Sequence, residues 1–250
     1  MPDLSTNCAG IRSPNPFWLA SAPPANSGAQ VQRAFDAGWG GAVWKTLGVP
    51  IQNVSSRFGA LNYSGTRAIG FNNIELITDR PLEVNFREIY ETKKKFPKHA
   101  VVVSLMVETQ EEWKDIIKRS IDAGADGLEL NFGCPHGMCE RGMGSAVGQE
   151  PMVNERITAW AVEYSTVPVL VKLTPNVSDI LPHGLAAQKG GAHGVSLINT
   201  INSIMGVDLN TLAPRPHVAG RGSHGGYCGP AVKPIALNMV AEIARDKETH

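Results

Sequence analysis

Six nearly continuous apolar runs alternate with six helical patterns along this 250-residue chain. Runs that are apolar throughout are typical of parallel strands buried on both faces. Alternation of such strands with helices predicts a parallel sheet built from βα units. The apolar runs span residues 17–22, 41–47, 100–106, 127–133, 167–174 and 194–200, and the helical patterns lie near 27–38, 82–96, 109–123, 151–165, 178–190 and 231–246.

The arrangement of these units decides between a barrel and an open doubly wound sheet. Three similar segments, at 37–43, 123–130 and 190–197, carry glycine where a helix would end and a strand would begin, as expected of one repeated unit. A dinucleotide-binding doubly wound sheet would carry a G-x-G-x-x-G motif after its first strand, and none follows the first strand here. We therefore predict the α/β fold of a TIM (β/α)8 barrel with a short N-terminal hairpin.

The number of visible units is smaller than a closed barrel needs. Six βα units are visible, whereas the closed barrel has eight, and the loops of the last two usually bind a phosphate group. We expect residues 1–250 to form a single barrel domain that is incomplete at its C-terminal end, as a fragment of a longer protein.

Composition and charge exclude several classes of function. The chain has 23 Lys and Arg against 23 Asp and Glu, so no basic field would attract nucleic acid or an anionic membrane. No stretch approaches the roughly 18 apolar residues of a membrane span, and the first residues lack the basic and apolar regions of a secretory signal. Four scattered cysteines do not form a disulfide framework. We expect a globular enzyme located in the cytoplasm.

Polar residues close several of the predicted strands. Lys45 ends the second strand, Asn131 the fourth, Lys172 the fifth, and Asn199 with Thr200 the sixth. A lysine at the end of a buried strand is costly unless it meets an anion or solvent, and in a barrel all strand ends point to the same end of the fold. Each residue taken alone could simply reach water, but together they predict a shared site.

A glycine-rich segment follows the fourth strand at residues 131–149. A loop of this composition and length is typical of a lid over a binding site. Its Cys134 has three interpretations: a small buried hydrophobic residue beside Pro135, a metal ligand with His136 and Cys139, or the proton-transfer group of a closing loop. We favour the third, because a thiol with a pKa of about 8.5 can exchange a proton near neutral pH.

The string ELNFGCPHGMCERGMGSAVGQ resembles the active-site loop of dihydropyrimidine dehydrogenases. The resemblance extends over almost the whole chain, through NPFWLASAPP, AGWGGAVWKT, FNNIEL, VKLTPN, SLINTINS and GGYCGPAVKPIAL. Within that family the chain is most similar to the pyrimidine-reducing subunits of bacterial NAD-dependent enzymes, which are related to the FMN-dependent dihydroorotate dehydrogenases. CPHGM inside an ERGMG loop is a far more specific motif than a lone cysteine.

The resemblance implies an FMN-dependent oxidoreductase that interconverts uracil or thymine and their 5,6-dihydro forms in pyrimidine catabolism. In that family, hydride passes between flavin N5 and carbon 6 of the pyrimidine, and the cysteine that matches Cys134 exchanges a proton at carbon 5. The residues that match substrate-binding positions are Asn73, Asn131, Phe132, Gly133, Asn199 and Thr200. Those that match FMN-binding positions are Ala20, Ser21, Lys45, Thr46, Asn131, Lys172, Gly225, Gly226 and Gly229.

The residue types fit this substrate on chemical grounds. A pyrimidine ring alternates carbonyl and N–H groups, and an Asn amide offers both an acceptor and donors. A positive charge from Lys45 or Lys172 would stabilise a reduced, anionic flavin. Simpler interpretations remain for two motifs: Asn73 could form a turn, and the glycines of GGYCGP could be turn residues before a helix.

Further cofactors are expected elsewhere than on this chain. The bacterial family members carry two iron–sulfur clusters on a ferredoxin-like module marked by closely spaced cysteines, and this chain has neither such cysteines nor a nicotinamide-binding fingerprint. We therefore expect FMN here, and iron–sulfur clusters, FAD and NAD only on missing segments or on a partner subunit. A homo-oligomer, or a hetero-oligomer with that FAD- and NAD-binding subunit, is expected. Nucleic acid and membrane partners are not.

Three alternatives stay open on the sequence. A dihydroorotate dehydrogenase of pyrimidine biosynthesis would have the same fold and the same cysteine role, although CPHGM differs from the CPN-type loop of those enzymes. A barrel with two exposed sheet edges could be a non-catalytic fragment, which would bind dyes that recognise an exposed core. A Cys/His metal hydrolase would contain stoichiometric zinc.

Overall fold

The computed structural model describes residues 2–51, 58–63, 65, 67–133, 142–215, 217–218, 221–222 and 224–249. The strands in these ranges are β1 (Thr6–Cys8), β2 (Ile11–Ser13), β3 (Trp18–Leu19), β4 (Gly41–Leu47), β5 (Phe58–Tyr63), β6 (Arg67–Asn73), β7 (Ala100–Leu105), β8 (Gly127–Asn131), β9 (Val169–Lys172), β10 (Gly194–Ser196), β11 (Ile201–Ser203), β12 (Gly206–Val207), β13 (Pro214–Arg215), β14 (His217–Val218), β15 (Arg221–Gly222) and β16 (Gly225–Cys228). The helices are α1 (Gly28–Asp36), α2 (Leu82–Lys95), α3 (Gln110–Asp122), α4 (Ser145–Gly148), α5 (Pro151–Tyr164), α6 (Leu181–Lys189) and α7 (Lys233–Arg245), with 3-10 turns at Pro23–Ala25 and Pro230–Val232. None of the helices in these ranges combines the length and the apolar character that crossing a membrane requires.

Six parallel strands form the central sheet, in the order β10–β9–β8–β7–β4–β3. All six runs predicted as strands lie in this sheet, and each strand after the first is reached through at least one helix. Every residue of β4, β7, β8 and β9 is buried, which explains why their sequences are almost wholly apolar. The predicted α/β fold with the architecture of a TIM barrel is confirmed.

The central sheet is strongly curled, as in a barrel. Ser21 follows the edge strand β3, whereas Lys172 ends β9, which lies four strands away in the sheet. In a flat sheet those two strands would be about 19 Å apart, because neighbouring strands are separated by about 4.8 Å. The distance between Lys172 Nζ and Ser21 Oγ is 3.4 Å. The sheet therefore curves so that the carboxyl ends of distant strands approach one another.

The convex face of the sheet carries the main hydrophobic core, which lies between the strands and the helices. Trp44 of β4 and Trp113 of α3 are 0% and 1% exposed, and Trp44 Nε1 donates a hydrogen bond of 3.0 Å to Asn85 Oδ1 on α2. Helix α3 begins at a capping box, in which Thr109 Oγ1 accepts from the backbone N–H of Glu112 and Glu112 Oε2 accepts from that of Thr109. These helices hold the strands, and so the strand ends, in place.

The hairpin of β1 and β2 covers the amino-terminal end of the concave face. Ile11 is 1% exposed and packs in one cluster with Val43, Ala100, Val102 and Leu170 of the parallel strands. Burying a side chain of this size contributes roughly 1.5–3 kcal/mol. The predicted N-terminal hairpin is confirmed, and the concave face is apolar at this end.

The sequence does not predict a second, antiparallel sheet, which has the order β11–β16–β6–β5. Strand β6 comes between β4 and α2 along the chain, and β11 directly follows β10, so the sheet is placed beside the carboxyl ends of the parallel strands. Its strands are rich in Asn and Gly, and β11 and β16 have only three and four residues. Asn73 of β6 stands opposite Gly226 of β16, 153 residues away in the sequence. Because the paired residues are so far apart in the chain, no local sequence pattern indicates that the two strands pair.

Part of the segment predicted as a lid is packed into the protein. Helix α4 lies within residues 131–149, and its Val147 is 3% exposed. A Cβ on Gly148 would overlap the carbonyl oxygen of Phe132, so glycine is used here for close packing. Residues 142–149 are therefore packed against the fold, and the lid over the mouth stays a prediction.

His183 of α6 predicts a pH dependence of stability. Its side chain is 6% exposed, and its Nδ1 has no hydrogen-bond partner among the described residues. Burial disfavours the charged imidazolium and lowers the pKa of His183 below its ordinary value. As the pH falls, the unfolded chain takes up this proton at about pH 6.5, whereas the folded chain takes it up only at a lower pH. We expect the free energy of unfolding to be greatest above about pH 6.5 and to fall as the pH drops from there towards the lowered pKa.

Urea unfolding of wild type and His183→Gln between about pH 5.5 and 7.5 measures this effect. The variant should lose part of the pH slope, and a part should remain because burial also lowers the pKa of His99. His217 is exposed, so His217→Gln is the control and should keep the wild-type slope. An unchanged slope in His183→Gln would contradict this prediction.

Candidate active site

The concave face of the central sheet becomes polar towards the carboxyl ends of its strands. The side chains there are those of Thr46, Ser104, Glu129, Asn131 and Lys172, each at most 9% exposed. Buried polar groups are costly unless they are paired. Five of them at one end of the sheet are therefore unusual for a hydrophobic core and indicate a functional site. We call this end the mouth of the barrel.

Asn131 is the centre of a hydrogen-bond network in the mouth. Its Nδ2 donates to Thr46 Oγ1 at 2.9 Å, and Thr46 Oγ1 lies 3.0 Å from Ser104 Oγ. Its Oδ1 accepts from Asn199 Nδ2 at 2.9 Å and from the backbone N–H of Gly133 at 3.2 Å. Both acceptor positions of the amide oxygen are used, which fixes the orientation of the amide. Four of the predicted site residues are thus in contact.

Thr200 and Asn73 extend this cluster onto the antiparallel sheet. The backbone N–H of Thr200 donates to Asn199 Oδ1 at 2.7 Å. A Cβ on Gly226 would overlap Thr200 Oγ1, so the two residues are closely packed. Asn73 Nδ2 lies 3.5 Å from the carbonyl oxygen of Gly226. Asn73 is the last residue of a strand, so the alternative interpretation of Asn73 as a turn residue is wrong.

Lys45 is tightly paired at the mouth. It is 4% exposed, and its Nζ lies 2.9 Å from Glu75 Oε2. The same ammonium donates to the carbonyl oxygen of Leu76 at 3.1 Å. Since Glu75 is also buried, at 9% exposed, the positive charge of Lys45 is matched by a neighbouring carboxylate.

Lys172 has weaker contacts than Lys45. Its Nζ lies 3.4 Å from Ser21 Oγ, beside Ala20 at the end of β3, and 3.9 Å from Glu129 Oε1. The second distance is too long for a hydrogen bond. An ammonium carries three N–H donors, and Lys172 is only 9% exposed to solvent. Its donors therefore have capacity left for a ligand in the mouth.

The predicted flavin-binding glycines each have a packing reason of their own. A Cβ on Gly225 would overlap the side-chain amide of the buried Asn72, and one on Gly226 would overlap Thr200, as described above. Gly229 has a φ of +102°, a left-handed conformation that favours glycine. These contacts account for glycine at the three positions, so their assignment to FMN stays a prediction.

Two further sequence predictions are placed differently. The Phe132 side chain is 1% exposed and lies in the convex-face core, with its ring centroid 6.5 Å from that of Trp113. It faces away from the mouth, and only its backbone remains available to a ligand there. Cys134, with His136 and Cys139 of the metal interpretation, lies outside the described residues. Within the described ranges, no group of three or more His, Cys, Asp and Glu residues could hold a metal ion.

The sequence analysis missed two carboxylates of the mouth, Glu75 and Glu129. Glu75 belongs to the FNNIEL motif, and Glu129 precedes Asn131 by two residues in β8. Residues two apart in a strand share a face, and this spacing is the sequence signal that points to Glu129. With the two lysines, these residues give the described part of the mouth two positive and two negative groups. Such a balance suits an uncharged ligand.

The fold and this site define an α/β-barrel protein with a cluster of polar side chains at the carboxyl ends of its strands. Residues 3–249 match the family model for dihydroorotate dehydrogenase, and the chain belongs to that family.

Curated relatives fall into two groups of enzymes. The chain is 42% identical to the chloroplastic NADP(+) dihydropyrimidine dehydrogenase of Arabidopsis thaliana, in an alignment that covers 98% of this chain and 59% of that protein. It is 42% identical to the NAD-dependent dihydropyrimidine dehydrogenase subunit PreA of Escherichia coli, over 98% of this chain and 60% of that subunit. It is 34% identical to the catalytic subunit of dihydroorotate dehydrogenase B (NAD(+)) of Pyrococcus horikoshii, over 97% and 75% of the two chains. The chain thus spans about three-fifths of the length of the first two relatives.

Proposed function

We propose that this chain is the pyrimidine-reducing unit of a dihydropyrimidine dehydrogenase, which interconverts uracil or thymine and their 5,6-dihydro forms. The observation that carries the proposal is the hydrogen-bonded cluster of Asn131, Asn199 and Thr200 at the mouth. Each amide nitrogen has one N–H that no described residue accepts, and such a donor suits a carbonyl oxygen of a pyrimidine. The 42% identity to two dihydropyrimidine dehydrogenases supports the same assignment.

FMN is the cofactor that we propose, with the chain as a single FMN-binding barrel domain. The fit rests on Lys172, whose buried ammonium has, among the described residues, only the two long contacts of 3.4 and 3.9 Å. A flavin ring accepts hydrogen bonds at its carbonyl oxygens and gains negative charge on reduction, so an ammonium with spare donors suits it. The residues that would hold FMN are Ala20, Ser21, Lys45, Thr46, Asn131, Lys172 and the backbone of Gly225, Gly226 and Gly229.

Bound FMN would supply the two-electron chemistry, by hydride exchange between its N5 and carbon 6 of the pyrimidine. Asn131 and Asn199 would bind the amide edges of the ring, with Asn73 and Thr200 on the side of the antiparallel sheet. Cys134 would take the proton from carbon 5 of the dihydropyrimidine, which leaves the 5,6 double bond, and would return it in the reverse direction. Burial of Asn131, which is 7% exposed, strengthens the hydrogen bonds that this residue makes.

We also propose a partner subunit as the source of the electrons. It would carry FAD and bind NAD, with iron–sulfur clusters between the two flavins. Two of the relatives are named as subunits, and both names include NAD, which supports an assembly of this kind. Hetero- or homo-oligomeric assembly and location in the cytoplasm are parts of the same proposal.

Dihydroorotate oxidation is the second candidate function, because the family model carries that name and one relative with it is 34% identical. Orotate has a carboxylate, which favours a cationic pocket. In the described part of the mouth, Lys45 and Lys172 have carboxylates at 2.9 and 3.9 Å. This balance of charge favours an uncharged pyrimidine over orotate.

An anaerobic titration of the FMN-loaded protein tests the proposed function. Dihydrothymine is expected to bleach the flavin absorbance, because oxidation of the substrate reduces the cofactor. Cys134→Ser should slow this bleaching about 100-fold or more, the usual effect of removing a general acid–base group. The measurement is stopped-flow absorbance under anaerobic conditions.

Two controls sharpen the result. Cys8 is exposed on β1, so Cys8→Ser should bleach at the wild-type rate. A second titration uses dihydroorotate in place of dihydrothymine. Bleaching by dihydroorotate alone would overturn the proposed substrate in favour of the second candidate.

A further inference from the structure

Glu129 is a buried carboxylate to which the proposed chemistry gives no role. It lies on β8, shares the face of Asn131, and is 2% exposed. Its Oε1 has no hydrogen-bond partner among the described residues. A carboxylate buried without hydrogen bonds is costly, so packing alone does not account for an acidic residue at this position.

The neighbouring cation is Lys172 on the adjacent strand β9. Lys172 stands opposite Asn131 in the pairing of β8 with β9, and its Nζ lies 3.9 Å from Glu129 Oε1. At this distance two charges in a protein interior interact strongly, but the carboxylate does not take up an N–H donor of the ammonium. Glu129 therefore offsets the charge of Lys172 and leaves its donors available.

The other lysine of the mouth shows that this spacing is not forced by the fold. Lys45 is in direct ion-pair contact with Glu75, at 2.9 Å. Lys172 instead lies between Glu129 and Ser21 Oγ, with no contact shorter than 3.4 Å to either. The two lysines therefore differ in the N–H donors that they offer a ligand, because Glu75 takes up a donor of Lys45 and Glu129 takes up none of Lys172.

We propose that Glu129 is a positioning residue that acts through Lys172. Its carboxylate holds the ammonium in place in the mouth and reduces the positive charge that a bound flavin would meet. This inference rests on the proposed function in taking FMN as the ligand of Lys172. It goes further in assigning control of the flavin's reduction potential to a carboxylate that does not itself contact the flavin.

The sign of the effect follows from the charges. Two-electron reduction leaves an anionic flavin ring, which a nearby cation stabilises and a nearby anion destabilises. Removing the charge of Glu129 while Lys172 stays in place makes the surroundings more positive. The reduced flavin becomes more stable relative to the oxidised flavin, and the midpoint potential rises.

Glu129→Gln in the FMN-loaded protein tests this inference, because glutamine keeps the shape of the side chain and removes its charge. The two-electron midpoint potential, measured anaerobically against a reference dye, is expected to rise by about 30 mV or more, which is a tenfold shift in the ratio of oxidised to reduced flavin. Glu163 is exposed on α5, so Glu163→Gln is the matched control and should leave the potential unchanged.

A double variant tests whether the effect passes through Lys172. If Glu129 acts by positioning the ammonium of Lys172, Glu129→Gln should change the potential much less in a Lys172→Gln background, where that ammonium is absent. A potential that is unchanged or lower in Glu129→Gln, or an equal rise in both backgrounds, would overturn the inference. A merely structural role would lower the thermal unfolding midpoint and leave the potential where it was.

The outcomes separate this inference from the proposed function. If the protein binds FMN and dihydrothymine does not bleach it, the proposed substrate fails, while chemical reduction still gives the potential that decides on Glu129. If the protein binds no FMN, the proposed cofactor and this inference are both wrong.

Discussion

Asn131→Ala is expected to slow the reduction of bound FMN by dihydrothymine about 100-fold or more. The substitution removes the acceptor of two hydrogen bonds, from Asn199 Nδ2 and from the backbone N–H of Gly133. It also removes the donor to Thr46 Oγ1. If two of these bonds align the substrate in the transition state and each contributes about 1.4 kcal/mol, the rate falls by a factor of about 100.

Stopped-flow bleaching with dihydrothymine measures this effect. Asn238 is exposed on α7 and bonds only to Glu242 within its own helix, so Asn238→Ala is a matched control that should keep the wild-type rate. Circular dichroism of both variants separates a lost contact from a lost fold. A normal rate in folded Asn131→Ala protein would show that the amide cluster does not bind the substrate.

Gly148→Ala is expected to destabilise the folded protein by about 3 kcal/mol. The new Cβ would overlap the carbonyl oxygen of Phe132, which is backbone and cannot turn aside as the end of a side chain can. Relief of this overlap requires α4 to move away from the end of β8. Because Phe132 directly follows Asn131, the same movement would disturb the mouth.

Equilibrium unfolding in urea measures the loss of stability. Gly206 in β12 has no atom within 4 Å of the position of a Cβ, so Gly206→Ala is the control and should change the free energy of unfolding by less than about 0.5 kcal/mol. Equal urea midpoints for Gly148→Ala and wild type would mean that α4 is not packed against β8 as described.

The parallel sheet could be predicted from the sequence, because its central strands are buried on both faces. Every residue of β4 and β7 is buried, so long apolar runs mark them directly. The antiparallel sheet could not be predicted in this way. Strand β6 carries Gly70 and two asparagines, and its partner β16 begins with two glycines. Their pairing joins distant parts of the chain, and no local pattern encodes it.

The candidate site could be predicted in part. Strand-end positions were enough to bring Asn131 and Asn199 together, since all parallel strands end at the same side of the sheet. The different surroundings of Lys45 and Lys172 could not be predicted, because they depend on which carboxylate lies across from each ammonium. Phe132 was assigned to the substrate from its place in a motif. Alternation along β8 places its side chain opposite that of Asn131, and the structure agrees with the alternation.

Cys8 offers a point at which the protein can be attached to a solid support by the amino-terminal end of its barrel. It is an exposed thiol in the hairpin that covers the amino-terminal end of the concave face. Since β4 has seven residues and a strand rises about 3.3 Å per residue, the mouth lies roughly 20 Å further along the strands. Of the described cysteines, Cys228 would couple more slowly, because burial raises the pKa of its thiol. An electrode coupled through Cys8 would therefore leave the mouth facing the solution, where substrates can diffuse to it freely.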